Sequence, residues 1–528
     1  MRIGVDVGGT NTDAVLIDGE KVLSWCKMPT TPDVGDGITT AITKVMTDAG
    51  VSSTEIQCVM IGTTHFTNAF VERKNLLPVG IIRIALPAAR ALPPLLDWPE
   101  DIANKVGDNI HLIRGGYQYD GRLNEALDEE AIAAAAIALN KKKIHTVAVT
   151  SLFSSVNNDM ELRAAEILKE HMTDVSISLS HTIGRIGILE RENATIMNAS
   201  LADMAGSVVK SFRQALKNLN ITAPFYVSQN DGTLMSADFV AKYPVLTFAS
   251  GPTNSMRGAA YLSGVKDAIV ADIGGTTTDI GMLVNGYPRE SSVTVDIGGI
   301  RTNFRMPDVL ALGLGGGSLV RQDAGKVTVG PQSVGYRLSE EGLVFNGSTL
   351  TSSDIAVAAG YAEMGDISKV SALETGLIAQ AVDAIHAIIS EGVDRMKTSS
   401  EPVPLILVGG GSILINRDIS GTSKTLIPDH ASVANAIGAA IAQIGAEIDK
   451  VFSYDEVGRE IAMESAKREA IEKAIAAGAD EETIKIIDIE EVPLAYVPGG
   501  AVRLRIKAAG QLSFAQNTLT EIFKGKGE

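Results

Sequence analysis

Residues 6–13 read DVGGTNTD and residues 272–279 read DIGGTTTD. The two octapeptides differ only at Val7/Ile273 and Asn11/Thr277, and they begin 266 residues apart in a chain of 528. Each is entered by an apolar run, MRIGV or AIVA, and left by another, AVLI or IGML. That pattern predicts a strand, a tight Gly-Gly turn and a returning strand, with an Asp at the end of the first strand. A period of this length is far above the roughly 20–50 residues of repeat arrays, so it marks a duplicated lobe rather than a solenoid.

Around these stretches the chain alternates strand and helix signals. MRIGVDV, TDAVLID and KVLSWCKMP read as a three-strand meander, GDGITTAITKVMTDAG (35–50) as a helix, and IQCVMIG (56–62) as a buried strand. VAVTSLF (147–153) and VSISLSH (175–181) are further strands, and residues 187–219 are a long helical region. YVSQNDG (226–232) and TFASGP (247–252) read as strand-to-turn units, and LILVGGGS (405–412) as a strand ending in a triple-Gly loop. ASVANAIGAAIAQIGAEI (431–448) reads as a buried helix of small residues, 456–483 as a charged helix with a solvated face, and 491–510 as a closing hairpin. The expectation is an α/β protein of two related halves.

Bulk properties narrow the function. Hydrophobic residues make up 45% of the chain and the mean hydropathy is +0.15, as in a well-packed soluble protein. With 46 basic and 63 acidic side chains the net charge is −17, which disfavours a nucleic-acid partner. Phosphate would have to be bound by backbone N–H groups and a divalent cation. Cys26 and Cys58 are the only thiols, too few for a disulfide framework or an iron–sulfur cluster, and the seven His form no close pair. An Asp at position 6 interrupts any signal-peptide core, and 431–448 carries Ser432, Asn435, Gln443 and Glu447, so neither export nor a membrane span is expected and a cytoplasmic location is.

The two glycines of each octapeptide let backbone approach a ligand and aim successive N–H groups at it. In the first loop these are Gly8 and Gly9, with Thr10, Asn11 and Thr12 behind them; in the second, Gly274 and Gly275, with Thr276, Thr277 and Thr278. Asp6 and Asp272 stand where each could hold Mg²⁺ through water, since that ion takes few carboxylates. Two such loops facing across a cleft would clamp a polyphosphate.

These paired loops resemble the two phosphate loops of the sugar kinase/heat-shock 70/actin superfamily. LILVGGGSILIN (405–416) resembles its adenosine loop, here Gly409, Gly410, Gly411 and Ser412, and VANAIGAAIA (433–442) its second connecting helix. More narrowly, GTTHFTNAFVERK (62–74), GRIGILERENATIMNASL (184–201), YVSQNDGTLMS (226–236), SGPTNSMRGA (250–259), LGLGGGSLV (312–320) and VGPQSVG (329–335) are similar to stretches of the hydantoinase/5-oxoprolinase family. Departures are His65 in a variable slot, Asp231 in place of a Gly, Asn254 where Gly is frequent, and SVGYRLSEEG after the GP motif.

The resemblance implies a two-lobed actin-like ATPase fold built from duplicated ribonuclease-H-like halves, with the nucleotide cleft between them. It implies lobes at 1–182 and 183–450 and a C-terminal extension at 451–528. It implies ATP and Mg²⁺ as cofactors, Asp6, Asp272, Thr10 and Thr276 as catalytic groups, and phosphorylation of a cyclic amide carbonyl for ring opening. A second, hydrolytic subunit is the implied partner, and a symmetric homodimer is the default expectation. On the substrate side stand Thr63, Thr64, His65, Asn68 and Arg191. Read from the residues alone, Thr64 and Asn68 serve either an anionic or amide group or the helix N-terminus, and His65 is either cleft-facing or packed. Glu190 and Arg191 are either a helix-surface pair or, for Arg191, a substrate contact. Arg301 and Arg305 are either phosphate-reaching or surface ion pairs. Two other function classes fit the same loops: a small-molecule kinase with Asp13 or Asp279 as base, and a non-catalytic ATP-driven reactivase or activator of a partner enzyme.

Overall fold

The N-terminal meander forms as its alternation predicts. In the computed structural model, which describes residues 1–9, 11–31, 34–291, 294–323, 325–495 and 499–513, strand Arg2–Val7 pairs antiparallel with Asn11–Asp18, and that strand with Lys21–Pro29. Cys58–Thr63 lies parallel beside Arg2–Val7, and Phe225–Ser228 parallel beside Cys58–Thr63. The second octapeptide repeats the plan. Ala268–Ile273 pairs antiparallel with Thr278–Val284, Val403–Val408 lies parallel beside it, and Thr422–Leu426 is next. Even the register repeats: Asp6 faces Asp13, and Asp272 faces Asp279. The octapeptide is written twice because the same hairpin opens two sheets.

Among the described residues the first sheet has nine strands. It extends past Phe225–Ser228 through Thr233–Ser236, Gln443–Ser453, Ala501–Gly510 and Lys485–Pro493. The second has six. A parallel four-stranded sheet, in the order Ser176–Leu179, Thr146–Ser151, Gly80–Leu86, Ile110–Arg114, forms a third layer within residues 80–179. The sheets therefore cut across the boundaries expected at 182/183 and 450/451, because strands 225–236 and 485–510 complete the sheet that residue 2 begins.

Two helices of small residues join the halves. Helix Ser250–Ser263 packs Met256 and Ala259 with Val270 and Leu283 of the second hairpin; helix Ala434–Ala440 packs Ala436, Ile437 and Ala440 with Val15 and Ile17 of the first. They cross backbone to backbone, since a Cβ on Gly438 would overlap the Asn254 carbonyl and one on Gly258 the Ala434 carbonyl. Burying these contacts stabilises the junction through dispersion and water exclusion, which any larger residue at the crossing would forfeit.

A buried ionic cluster ties the far ends together. Arg185, Arg505 and Lys507 converge on Glu290 at 2.6, 2.6 and 3.0 Å. Arg305 reaches Asp231 at 2.8 Å and Glu447 at 3.2 Å. Arg305 is thus neither a phosphate contact nor a surface pair, whereas the exposed Arg301 comes only to 3.9 Å from Glu190.

Some local expectations are corrected. The helix read over 431–448 stops at Ala440, and Gln443–Ser453 is a strand. Its backbone is claimed by ten residue pairs with Ala501–Gly510, and Gly445 sits so close to Thr233 that tertiary pairing overrides helical spacing. TFASGP is no strand: Pro244 opens a helical turn and Ser250 begins a helix. The long helix of 187–219 breaks into Ile188–Ser200 and Ala202–Asn218. The charged helix Arg459–Ala476 is anchored by Ala462, Ala466, Ala470 and Ala474, all buried against the extended sheet. Helix Thr375–Met396 is long and apolar enough to cross a membrane by length and composition, but it sinks Ala381, Ile385, Ile389 and Val393 into the second core.

Candidate functional site

Both hairpin turns close alike: Gly8 N donates to Asn11 O at 3.0 Å and Gly274 N to Thr277 O at 2.9 Å. The loops face each other across a cleft of about 360 Å³ lined by Asp6, Gly8, Gly9 and Asn11 from one side and Asp272, Gly274 and Gly275 from the other. Gly409, Gly410 and Gly411 form a third wall. The size is in the range of small-ligand sites.

Asp6 is 5% exposed at the end of its strand. Its Oδ2 accepts from Asn435 Nδ2 at 3.0 Å, and the same amide reaches Asp13 Oδ2 at 2.9 Å. Lys27 Nζ closes on Asp13 at 2.6 and 2.8 Å. Burial, reinforced by the neighbouring Asp13 charge and opposed by the Asn435 hydrogen bond, pushes the Asp6 carboxyl up to about 7. Asp6 Oδ1 is buried without a partner among the described residues. In the second lobe burial raises Asp272, against a Ser255 hydrogen bond and Lys27. Burial and the Asp272 charge push Asp279 up to about 7.

The second loop is buttressed from behind. Gly316 N donates to Gly274 O at 3.0 Å and Gly317 N to Gly275 O at 2.7 Å, while the Ser352 hydroxyl holds the Gly315 carbonyl. The LGLGGGS stretch is therefore a support for the loop, with Gly316 and Ser353 reaching the cleft itself. In the third loop Gly409 has φ +83, and a Cβ there would overlap both the Asp272 carboxylate and the Ile273 carbonyl. Glycine is required where the loops of one lobe touch. Gly410 is different: the nearest atom to its would-be Cβ is Lys27 Cε, 3.9 Å away across the cleft. Ser412 is buried and turns back on Gly409 with its N–H at 3.2 Å from the carbonyl.

The threonines divide. Thr276 and Thr277 are exposed on the second loop. Thr12 and Thr278 are buried, their hydroxyls used within their own lobes, toward Thr30 Oγ1 (3.2 Å) and Leu314 O (2.7 Å). Thr10 lies outside the described residues.

Of the expected substrate residues, Thr64 and Asn68 stand beside the first loop. Asn68 Nδ2 is 3.5 Å from where a Cβ on Gly9 would lie and 3.4 Å from Thr64 Oγ1. Thr63 is fully buried and exchanges backbone hydrogen bonds with the Ser250 hydroxyl. His65 is half-buried with its ring edge-on to Phe66, and burial lowers its pKa. Arg191 is 1% exposed, and its guanidinium is spent on Ser151 O, Arg185 O, Gly187 O and Ser180 Oγ beneath the third sheet. It is neither a surface pair nor a lining residue of the cleft. Lys27, Asn435, Ser255 and Ser353 line the cleft without having been singled out in the sequence. Only the register that sets Lys27 opposite Asp13 makes the lysine visible.

Two family models match in succession: one described as hydantoinase/oxoprolinase N-terminal region over residues 2–172, and one described as hydantoinase/oxoprolinase over residues 191–372. The caprolactamase subunit alpha of Pseudomonas jessenii is 27% identical over 74% of this chain and 58% of its own length. The acetophenone carboxylase gamma subunit of Aromatoleum aromaticum is 27% identical over 68% and 53%. The chain spans little more than half the length of these two curated relatives. The crystal structure of the ATP-dependent caprolactamase from Pseudomonas jessenii has the same fold, with a TM-score of 0.77 at 21% identity over 97% of this chain and 88% of that one. Carried by consecutive matches over both halves, these findings mean that the chain belongs to the hydantoinase/oxoprolinase family.

Proposed function

We propose that this chain is the ATP-dependent subunit of a cyclic-amide hydrolase, activating a lactam, hydantoin or oxoproline-like ring. The observation that carries the reading is the cleft between two Asp-Gly-Gly turns of the same register, with a glycine loop as its third wall. The likeness to a caprolactamase subunit supports the substrate class, and its designation as a subunit supports a separate hydrolytic partner.

The donor set fits Mg²⁺ carried by a polyphosphate. Asp6, Asp13 and Asp272 line the cleft against Lys27, and Asp6 Oδ1 lacks a partner among the described residues. Such a surface repels a bare triphosphate. Among the described residues no three His, Cys, Asp or Glu form a cage, which suits an ion that takes one or two carboxylates and keeps its waters. When bound, Mg·ATP would supply the phosphoryl group and offset the carboxylate charge. The chain's own part is to cradle phosphate oxygens with the N–H groups of Gly9 and Gly275, those of Gly8 and Gly274 being spent on closing the turns, to fix charge with Asp6 and Asp272, and to hold the amide near Thr64 and Asn68. An amide carbonyl is a poor electrophile. Its oxygen takes the phosphoryl group as ADP leaves, water adds at the carbon, and the ring C–N bond opens to leave a free amine and an acyl phosphate; a second water attacks the acyl carbon, leaving a carboxylate as phosphate departs with the original carbonyl oxygen.

That atom balance is the test. With a carbonyl-¹⁸O lactam, ATP and the separately produced partner, the label is expected in inorganic phosphate. A stable phosphorylated product would point to a kinase, and ATP hydrolysis without label transfer to an activator. A second reading, activation of a ketone oxygen, is favoured by the likeness to the acetophenone carboxylase gamma subunit; stimulation by ketone plus bicarbonate rather than by lactams would select it.

A further inference from the structure

The cleft holds one cation among its described lining residues, Lys27, against the carboxylates of Asp6, Asp13 and Asp272. Lys27 is rooted in the first sheet, directly opposite Asp13 in the ladder between Asn11–Asp18 and Lys21–Pro29. Its ammonium lies 2.6 and 2.8 Å from the two Asp13 oxygens. The pair is lopsided: the lysine side chain is 31% exposed and the aspartate side chain 2%. The stem also crosses the cleft, with Cε 3.9 Å from the would-be Cβ of Gly410 in the opposite lobe. Asp13 has a second donor, Asn435 Nδ2 at 2.9 Å, whose own Oδ1 is fixed by Ala436 N at 2.9 Å. The aspartate would keep that hydrogen bond if the lysine turned away.

Resting on the nucleotide reading above, we infer that Lys27 is an exchangeable counter-charge: paired with Asp13 in this structure, it swings to a non-bridging oxygen of a nucleoside polyphosphate held between the two glycine loops. An ammonium carries three donors on a flexible four-carbon stem, so it can take a phosphate oxygen while still facing Asp13.

A purely structural salt bridge makes a different prediction, and a double variant separates the two. Lys27→Met alone leaves Asp13 buried and unpaired and could fail to fold. Lys27→Met/Asp13→Asn removes both charges and retains Asn435's partner, so it serves as the folded probe, with Asp13→Asn as its reference. Isothermal titration with Mg·ATP should show the double variant binding at least about tenfold more weakly than Asp13→Asn, the loss of one charge-assisted hydrogen bond. Lys27→Arg/Asp13→Asn should recover most of that loss. Equal affinity of the double variant and its reference would overturn the inference while leaving the nucleotide reading intact. If the wild-type chain bound no Mg·ATP at all, both would fall together, which distinguishes the two failures.

Discussion

Two neighbouring glycines of the third loop should respond to substitution in opposite ways. Gly409 sits at φ +83, and a Cβ there would overlap the Asp272 carboxylate and the Ile273 carbonyl. Alanine pays about 1–2 kcal/mol for the left-handed backbone and about 1–3 kcal/mol for overpacking against atoms that cannot yield. A loss of about 2–5 kcal/mol is a large part of a typical folding free energy, so Gly409→Ala should melt well below wild type. Gly410 meets only Lys27 Cε at 3.9 Å and has an ordinary backbone conformation. Gly410→Val should therefore change stability by no more than about 0.5 kcal/mol. Its branched side chain, however, projects into a cleft of about 360 Å³ where the base or ribose would lie. Crowding of about 1–3 kcal/mol corresponds to roughly 5- to 150-fold weaker Mg·ATP binding. Thermal unfolding and isothermal titration on the two variants check both halves. Wild-type affinity in Gly410→Val, or a wild-type melting profile in Gly409→Ala, would refute the assignment of this loop.

Asp6 is held protonated up to about pH 7 by burial and by Asp13, so binding Mg·ATP near pH 6 should release a proton, and affinity should fall as pH drops from 8 to 6. Titration in buffers of differing ionisation heat measures the proton, and Asp6→Asn should abolish it. Asp279 is raised from 3.8 to about 7, so its contribution to folding is fully present below about pH 4 and is lost as pH rises through about 7. Asp279→Asn should accordingly melt higher than wild type at pH 8 and converge with it near pH 4. Arg191→Ala should destabilise by about 3–5 kcal/mol, because it strips a fully buried cation from beside Glu161 and Glu192, and its primary signature should be unfolding by heat rather than a change in KM.

What could be read in advance followed from local chemistry. The paired octapeptides foretold two hairpins with an Asp at each strand end, because Gly-Gly turns and apolar alternation are local signals. The Gly409–Gly411 loop was legible for the same reason. The side-chain directions were not: Thr12 and Thr278 look like phosphate donors in a string, yet strand alternation turns both hydroxyls into their own lobes. Arg191 looks like a site residue because it belongs to a motif, whereas its role is to satisfy carbonyls where Ile188–Ser200 meets the third sheet. Lys27 is silent because its partner Asp13 lies across a strand pair, and Asn435 because its partners Asp13 and Asp6 lie 422 and 429 residues away in the chain. The strand Gln443–Ser453 was hidden by alanine and glycine, which fit a helix until the C-terminal hairpin supplies ten backbone pairs.

A nucleotide held jointly by the two matched loops needs the aspartate of each. Mg-dependent ATP hydrolysis measured side by side in the wild type, Asp6→Ala and Asp272→Ala tests that requirement most directly. Each aspartate fixes charge from a different lobe, so removing either should cost about 3 kcal/mol or more of stabilisation, a fall of over a hundredfold in turnover with the folded state retained. Full ATP turnover in either single variant would contradict the two-loop clamp.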